Sequence, residues 1–369
     1  MTAPRGTALV HDWLTGFRGG EQVLLSLARL FPEAPIFTLL HVKGSLPKEL
    51  ESRTIHTSFI GKLPFARRLY RHYLPLFPLA VRGLDVRPFD LVISSSHCVA
   101  KGVRPAQGAR HVCYCHTPMR YVWDRFDDYF GPARMGRIRS AGLRVMAEGL
   151  RAWDVATANN VHEYVANSHA VAARIQHFYG RAAVVIEPPV DTDFFTPQLS
   201  DAGEGEYDLV VSALVPYKRI DLAIDAANIT GRRLLIVGHG PEEARLRARA
   251  GAVVEFLGPA DRERLLGLYR GCRALVLPGV EDFGIVVAEA LACGRPALVN
   301  AQGGGAEIVN HGEFGQTFVE PTGDAVAEAL SQLVPGRFSR LSLRKRAEMF
   351  SRTGFEERFR RLVDEPAGS

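Results

Sequence analysis

Short apolar runs of strand length alternate with helix-periodic stretches along most of this chain, and the alternation runs through twice. The first run, residues 8–10, ends at His11-Asp12. Gly19-Gly20 then opens a helix from 21 to 30 with Val23, Leu24, Leu27 and Leu30 on one face. Further strands are predicted at 36–40, 91–94, 111–114 and 163–167, the last followed by a helix through Ile175. A stretch from Glu187 to Pro197, rich in proline and acid and without period, reads as a connector. The rhythm restarts beyond it, with strands at 209–213, 234–237, 253–257, 274–277 and 297–300.

Strands joined by helices imply βαβ units and parallel sheets. The expected fold is therefore α/β: two Rossmann-like, doubly wound domains with the site in a cleft at the strands' C-terminal ends. Domain limits are placed at 1–190 and 191–340, with the junction between about 187 and 205 and a basic helical segment at 341–369. A length of 369 residues suits two cores.

Composition excludes several classes. With 47% apolar and 23% charged residues and no uninterrupted apolar run of membrane-spanning length, the chain reads as globular. The opening residues, Met1 to Gly6, lack the pattern of a signal peptide, which predicts a cytoplasmic place. Cys98, Cys113, Cys115, Cys272 and Cys293 follow neither disulfide nor zinc spacing and are predicted to be buried free thiols. The net charge of +5 favours an anionic substrate or membrane surface and does not point to nucleic acid.

The most informative stretch runs from Leu275 to Pro296. A strand enters a short loop carrying Glu281, a helix begins near Gly284, and Gly294 with Pro296 marks its end. Glu289 falls one to two turns into that helix, so both carboxylates can face one ligand above the helix N-terminus. Free N–H groups and the positive dipole end suit a diphosphate there. Carboxylates suit sugar and ribose hydroxyls, because an ionised acid accepts two hydroxyl hydrogens.

Glu281 to Glu289 resembles the E-x7-E motif of the retaining glycosyltransferase family 4, in its Glu-Asp-Phe-Gly-Ile form. Val215-Pro-Tyr-Lys218, Val237-Gly-His-Gly240 and the glycine-rich 302–309 are similar to further family motifs. So are Gly19-Gly20-Glu21, His116-Thr-Pro-Met-Arg-Tyr and Ala166-Asn167-Ser168. The resemblance covers nearly the whole chain and is strongest to bacterial mannosyltransferases of surface-polysaccharide (O-antigen type) assembly. It implies a GT-B fold whose C-terminal helix braces the first domain. It also implies a metal-independent reaction without a cofactor, in which a nucleotide-diphosphate sugar, GDP-mannose above others, donates to a glycan or polyprenyl-linked glycan.

Residue by residue, the resemblance implies that Glu289 binds the donor ribose. Glu281, with the amides of Phe283, Gly284 and Ile285, would hold the donor sugar. Lys218 would neutralise the leaving diphosphate and His116 would reach the transferring sugar. Gly19 and Gly20 would admit backbone to the reacting centre, and Gly240 belongs to the donor side. Many family members carry arginine five residues before the lysine; this chain has Ala213, and Arg219 is the candidate substitute. A UDP-sugar donor, or a non-catalytic sugar-nucleotide-binding scaffold, are the alternatives.

Two other motifs compete. Gly238-His-Gly240-Pro-Glu-Glu243 imitates a dinucleotide fingerprint, but Glu243 stands where a third glycine is needed. Asp124, Asp127 and Asp128 form an acidic group without further ligands at metal spacing, and a solvated or arginine-paired loop is expected instead. Finally, residues 60–77 interleave basic and aromatic residues with leucines. That composition suits either a membrane interface or a helix packed on the first domain.

Overall fold

The computed structural model describes residues 6–124, 126–127, 131–132, 136–198, 205–334 and 336–365. The chain divides into two compact units, Met1–Glu187 with Phe355–Ser369, and Pro188–Gly354.

The first unit is built on a seven-stranded sheet of β1 (Thr7–His11), β2 (Ile36–Thr38), β3 (Ile55–Thr57), β4 (Leu91–Ser96), β5 (Arg110–Cys115), β6 (Glu163–Ala166) and β7 (Ala183–Val185). Its order is β3-β2-β1-β4-β5-β6-β7, and every pairing is parallel. The order reverses between β1 and β4, which makes their C-terminal ends the switch point. The central strands are mostly apolar because both faces are covered. Along β1, Leu9 faces a core with Leu24, Leu27, Phe355 and Phe359, whereas Ala8 and Val10 face a second core with Phe77 and Val81.

The second unit repeats the plan with β8 (Tyr207–Val211), β9 (Leu234–Val237), β10 (Val254–Gly258), β11 (Cys272–Leu277), β12 (Ala297–Asn300) and β13 (Gly315–Phe318). The order is β10-β9-β8-β11-β12-β13, again all parallel. Its switch point lies between β8 and β11.

Periodicity placed the long central strands and missed β3, β7 and β13. Each of these is an edge strand of three or four residues, too short for an alternation to register. The run predicted at 36–40 leaves the sheet after Thr38, where Leu39 and Leu40 turn into the core beside Trp13 and Ile60. The strand predicted at 209–213 is Tyr207–Val211; beyond it the chain turns toward the Pro216–Lys218 helical turn. All five cysteines are free and buried, and burial pushes the Cys293 thiol up to about 12.

The basic C-terminal segment divides. The helix Arg340–Glu348 packs Leu343 and Ala347 in the second unit, where Arg344 donates to the carbonyls of Thr192 and Phe195. In the following helix, Arg352–Asp364, Phe355 and Phe359 are buried in the first unit beside Tyr114 and Ile186, and Arg358 pairs with Glu187.

Residues 59–82 form short helical turns. Ile60, Ala66, Tyr70, Leu74, Phe77, Ala80 and Val81 point into the first unit's core. A second apolar set stays outside: Phe65 is 77% exposed and Leu79 63%, with Phe59, Leu69 and Leu76 also exposed. No described helix is long and apolar enough to cross a membrane.

Candidate functional site

In the second unit, Lys218 and Glu281 meet at the switch point. Lys218 closes the turn after β8, and Glu281 lies in the loop after β11. Gly279 lets these loops touch: a Cβ there would lie 2.7 Å from the Tyr217 carbonyl oxygen and 2.9 Å from Lys218 Cα. The contact carries Lys218 Nζ to the Glu281 carboxylate, with which it pairs.

The glycine-rich loop clamps the other side of Glu281. Gly304 N donates to the Glu281 carbonyl at 2.9 Å, and a Cβ on Gly304 would meet the Asp282 carbonyl at 2.3 Å. Gly284, at φ +96°, then turns the chain into the helix Ile285–Ala292. The helix stops as the sequence predicts: Gly294 takes φ +73°, its N–H donates to Leu291 and that of Arg295 to Ala290.

Glu289 lies on the buried side of this helix and is only 8% exposed. Tyr269, fully buried on the helix Arg262–Gly271, donates its hydroxyl to Glu289 Oε2 at 2.7 Å. Burial lifts the Glu289 carboxyl to about 7, against the opposing pull of Tyr269 and the Arg262 charge. Phe283 is buried against Phe350, and Ile285 is half-buried.

Arg219 takes a left-handed backbone (φ +49°) and directs its guanidinium to Asp221, 3.2 Å away, and the Pro321 carbonyl. Gly238 and Gly240 are close backbone contacts for the β8 loop, since a Cβ on Gly240 would fall 2.3 Å from the Leu214 carbonyl oxygen.

In the first unit, His116 follows β5 and its carbonyl is held by Asn167 Nδ2 at 3.0 Å. Ser168 beside it caps the helix His169–Tyr179. Around His116 the structure gathers residues to which the sequence assigned no role: His11 and Asp12 at the end of β1, and Ser95 and His97 at the end of β4. Ser95 Oγ lies 2.8 Å from His116 Nε2 and 3.1 Å from His11 Nδ1. Asp12 accepts the N–H groups of His97, Cys98, Val99 and Ala100 at 2.7–2.9 Å, and His97 Nδ1 stands 3.1 Å from it. Burial, then the neighbouring His97 and His11, hold His116 well below the usual imidazole range.

Gly20 is the close approach here. A Cβ on it would sit 3.5 Å from the His11 ring and 3.7 Å from His116 Nε2, whereas Gly19 meets nothing. The available signal was the run Ser94-Ser95-Ser96-His97, polar residues ending an otherwise apolar strand at the switch point.

The acidic loop is arginine-paired where described: Asp124 pairs with Arg174, and Asp127 with Arg144 at 3.0 Å. Asp128 lies outside the described residues. Among the described residues no group of three or more His, Cys, Asp or Glu could hold a metal.

Two parallel doubly wound units, each with its polar residues at the switch point, define the class of two-domain α/β proteins to which the GT-B glycosyltransferases belong. The Anabaena protein HepE, solved in complex with UDP, shares this fold with a TM-score of 0.71 over 97% of this chain and 99% of its own, at 16% identity. Residues 17–194 match the family model Glycosyltransferase Family 4, and residues 191–350 match Glycosyl transferases group 1. The chain belongs to the glycosyltransferases assembled from these two domains.

Among curated relatives, it is 32% identical over 189 residues to D-inositol 3-phosphate glycosyltransferase of Mycolicibacterium smegmatis, covering 44% of this chain and 43% of that protein. It is 35% identical over 136 residues to a GDP-mannose-dependent alpha-(1-6)-phosphatidylinositol dimannoside mannosyltransferase of Mycobacterium tuberculosis, covering 36% of this chain and 34% of that protein. The matched stretches thus span less than half the length of these relatives.

Proposed function

We propose that this protein is a retaining, metal-independent glycosyltransferase that moves a hexose, mannose from GDP-mannose above others, to a hydroxyl of a glycan or polyprenyl-linked glycan in polysaccharide assembly at the cytoplasmic face of a membrane. The observation that carries the reading is the Lys218–Glu281 pair, set beside the N-terminus of the helix that bears Glu289. A cation and a carboxylate beside helix N–H groups, with a second carboxylate farther along the same helix, match a diphosphate flanked by two sugars. The GDP-mannose dependence of the M. tuberculosis relative supports the donor. The UDP bound to HepE supports a UDP-sugar as the second reading.

In this reading the C1–phosphate bond of the donor breaks as the acceptor oxygen bonds C1 on the same face. The acceptor's proton passes to the departing phosphate oxygen. Lys218 has three N–H donors, so it can keep Glu281 and still neutralise the growing phosphate charge. Glu281 and the amides of Phe283, Gly284 and Ile285 hold the sugar, Glu289 the ribose, and His116 a hydroxyl of the transferring sugar. Arg219 would have to leave Asp221 to join the phosphate, so Lys218 is assigned the leaving-group charge alone.

Thermal melting with GDP, UDP, ADP and dTDP tests the donor, because a ligand stabilises the fold by RT ln(1 + [L]/Kd). A rise with GDP alone supports mannose transfer from GDP-mannose, and a rise with UDP alone replaces that donor. No rise with any of the four refutes nucleotide binding.

The membrane contact is assigned to residues 59–82. No Asp or Glu occurs between Glu51 and Asp85, while Lys62, Arg67, Arg68 and Arg71 stand exposed among Phe65, Leu69, Leu76 and Leu79. Exposed aromatic and aliphatic side chains beside exposed cations suit an anionic bilayer surface. Sedimentation with phosphatidylglycerol vesicles at low salt should pull down the protein and fail with Phe65→Asp; indifference of the parent protein to the vesicles refutes the assignment.

A further inference from the structure

We propose that Glu21, His11 and Ser95 form a relay that fixes the ring tautomer of His116, so that His116 Nδ1 presents a lone pair to the sugar. The relay rests on the glycosyltransferase reading for its purpose, and on the first unit's geometry for its existence.

One hydroxyl links the two histidine rings. Ser95 Oγ touches a ring nitrogen of each histidine, 3.1 Å from His11 Nδ1 and 2.8 Å from His116 Nε2. A hydroxyl has one hydrogen to donate and lone pairs to accept with. With both rings neutral, it donates to one nitrogen and accepts an N–H from the other, so the tautomer of one histidine dictates that of its partner.

Glu21 chooses the direction. His11 Nε2 is buried, has no hydrogen-bond partner among the described residues, and stands 3.8 Å from Glu21 Oε1, beyond hydrogen-bond distance. A ring N–H facing a carboxylate is favourable, whereas a lone pair facing it is repelled. Burial alone would raise the Glu21 carboxyl, but His11 and the backbone outweigh it and hold it below its usual range, so it is ionised at neutral pH. The other acid nearby, Asp12, is already occupied by four backbone N–H groups and His97.

The sequence of states follows. His11 carries its proton on Nε2, toward Glu21; its Nδ1 accepts the Ser95 hydroxyl hydrogen; and Ser95 accepts the N–H of His116 Nε2. His116 Nδ1 is left as an acceptor for a sugar hydroxyl. His116 would be the catalytic-site residue, and Glu21, His11 and Ser95 are positioning residues.

The test is nitrogen NMR of the full chain with ring-15N histidine at about pH 8.5, above the ordinary imidazole range, with His116 assigned by its loss in His116→Gln. The native protein should show Nε2 protonated and Nδ1 bare. Glu21→Gln should reverse this. The carboxamide oxygen would keep the Arg18 N–H that Glu21 Oε2 accepts at 3.0 Å, which turns the NH2 group to His11 Nε2 and sends the relay the other way.

Ser95→Ala should uncouple His116, giving a mixture of tautomers that Glu21→Gln no longer changes; it also keeps the test open should the glutamine variant fold poorly. An unchanged His116 spectrum in Glu21→Gln, or in Ser95→Ala, overturns the relay whatever the protein's activity. With the relay intact, kcat/KM for the nucleotide sugar should fall roughly tenfold in Glu21→Gln, the scale of one mismatched hydrogen bond. A reversed tautomer at full kcat/KM overturns the role at the sugar.

Discussion

Glu289 provides a pH test of the donor site. Its carboxyl titrates at about 7 rather than 4.5 because it is buried on the inner face of its helix, with Tyr269 holding one oxygen. If the ionised form accepts the two ribose hydroxyls, apparent affinity scales with the ionised fraction, roughly a tenth at pH 6 and nine tenths at pH 8. Donor Kd should then tighten about tenfold across that window. Titration calorimetry with a nucleotide sugar is the assay of choice, because the esterified diphosphate of the donor does not itself titrate there.

Two variants isolate the cause. Glu289→Gln should bind weakly and with no slope between pH 6 and 8. Tyr269→Phe removes a hydrogen bond that favours the carboxylate, so the midpoint should rise above that of the parent. The same titration carries a stability signature of fixed sign. The folded state keeps the proton to a higher pH than the unfolded chain, so stability should fall as pH rises from 4.5 to 7, by about 3 kcal/mol for this group, and Glu289→Gln should abolish that component. Donor affinity that stays flat from pH 6 to 8, or a slope that survives in Glu289→Gln, would refute the assignment of Glu289 to the ribose.

Lys218→Ala should lower turnover by ~2–4 kcal/mol with a smaller effect on donor binding, since its charge matters most as the phosphate departs; single-turnover kinetics at saturating donor separate the two, and a parental rate would remove Lys218 from the reaction. Lys101 is a purely structural counterpart. Its buried ammonium pairs with Asp154 at 3.0 Å and donates to Thr157, so Lys101→Met should cost about 3–5 kcal/mol in urea unfolding by stranding the Asp154 charge.

How much of this was legible in the sequence depended on whether the signal was local. The central strands were, because a strand buried on both faces must be apolar along its length, as Leu9 and Val10 are. The Gly294 stop was, because a left-handed helix end selects glycine locally. Ser95 was not: one serine among three gives no sign that it will bridge two histidines from two other strands, and only the strand order β1-β4-β5 makes them neighbours.

Glu281 and Glu289 show the same limit in one motif. Their spacing declared two acids near a helix start, yet they do not share an environment. Glu281 meets a lysine 63 positions away and is neutralised by it, whereas Glu289 is buried against Tyr269 and titrates near neutrality. A motif of two identical residues therefore yields one half of an ion pair and one buried acid whose charge is set by pH near neutrality. The donor site should accordingly lose affinity on mild acidification as Glu289 takes up its proton.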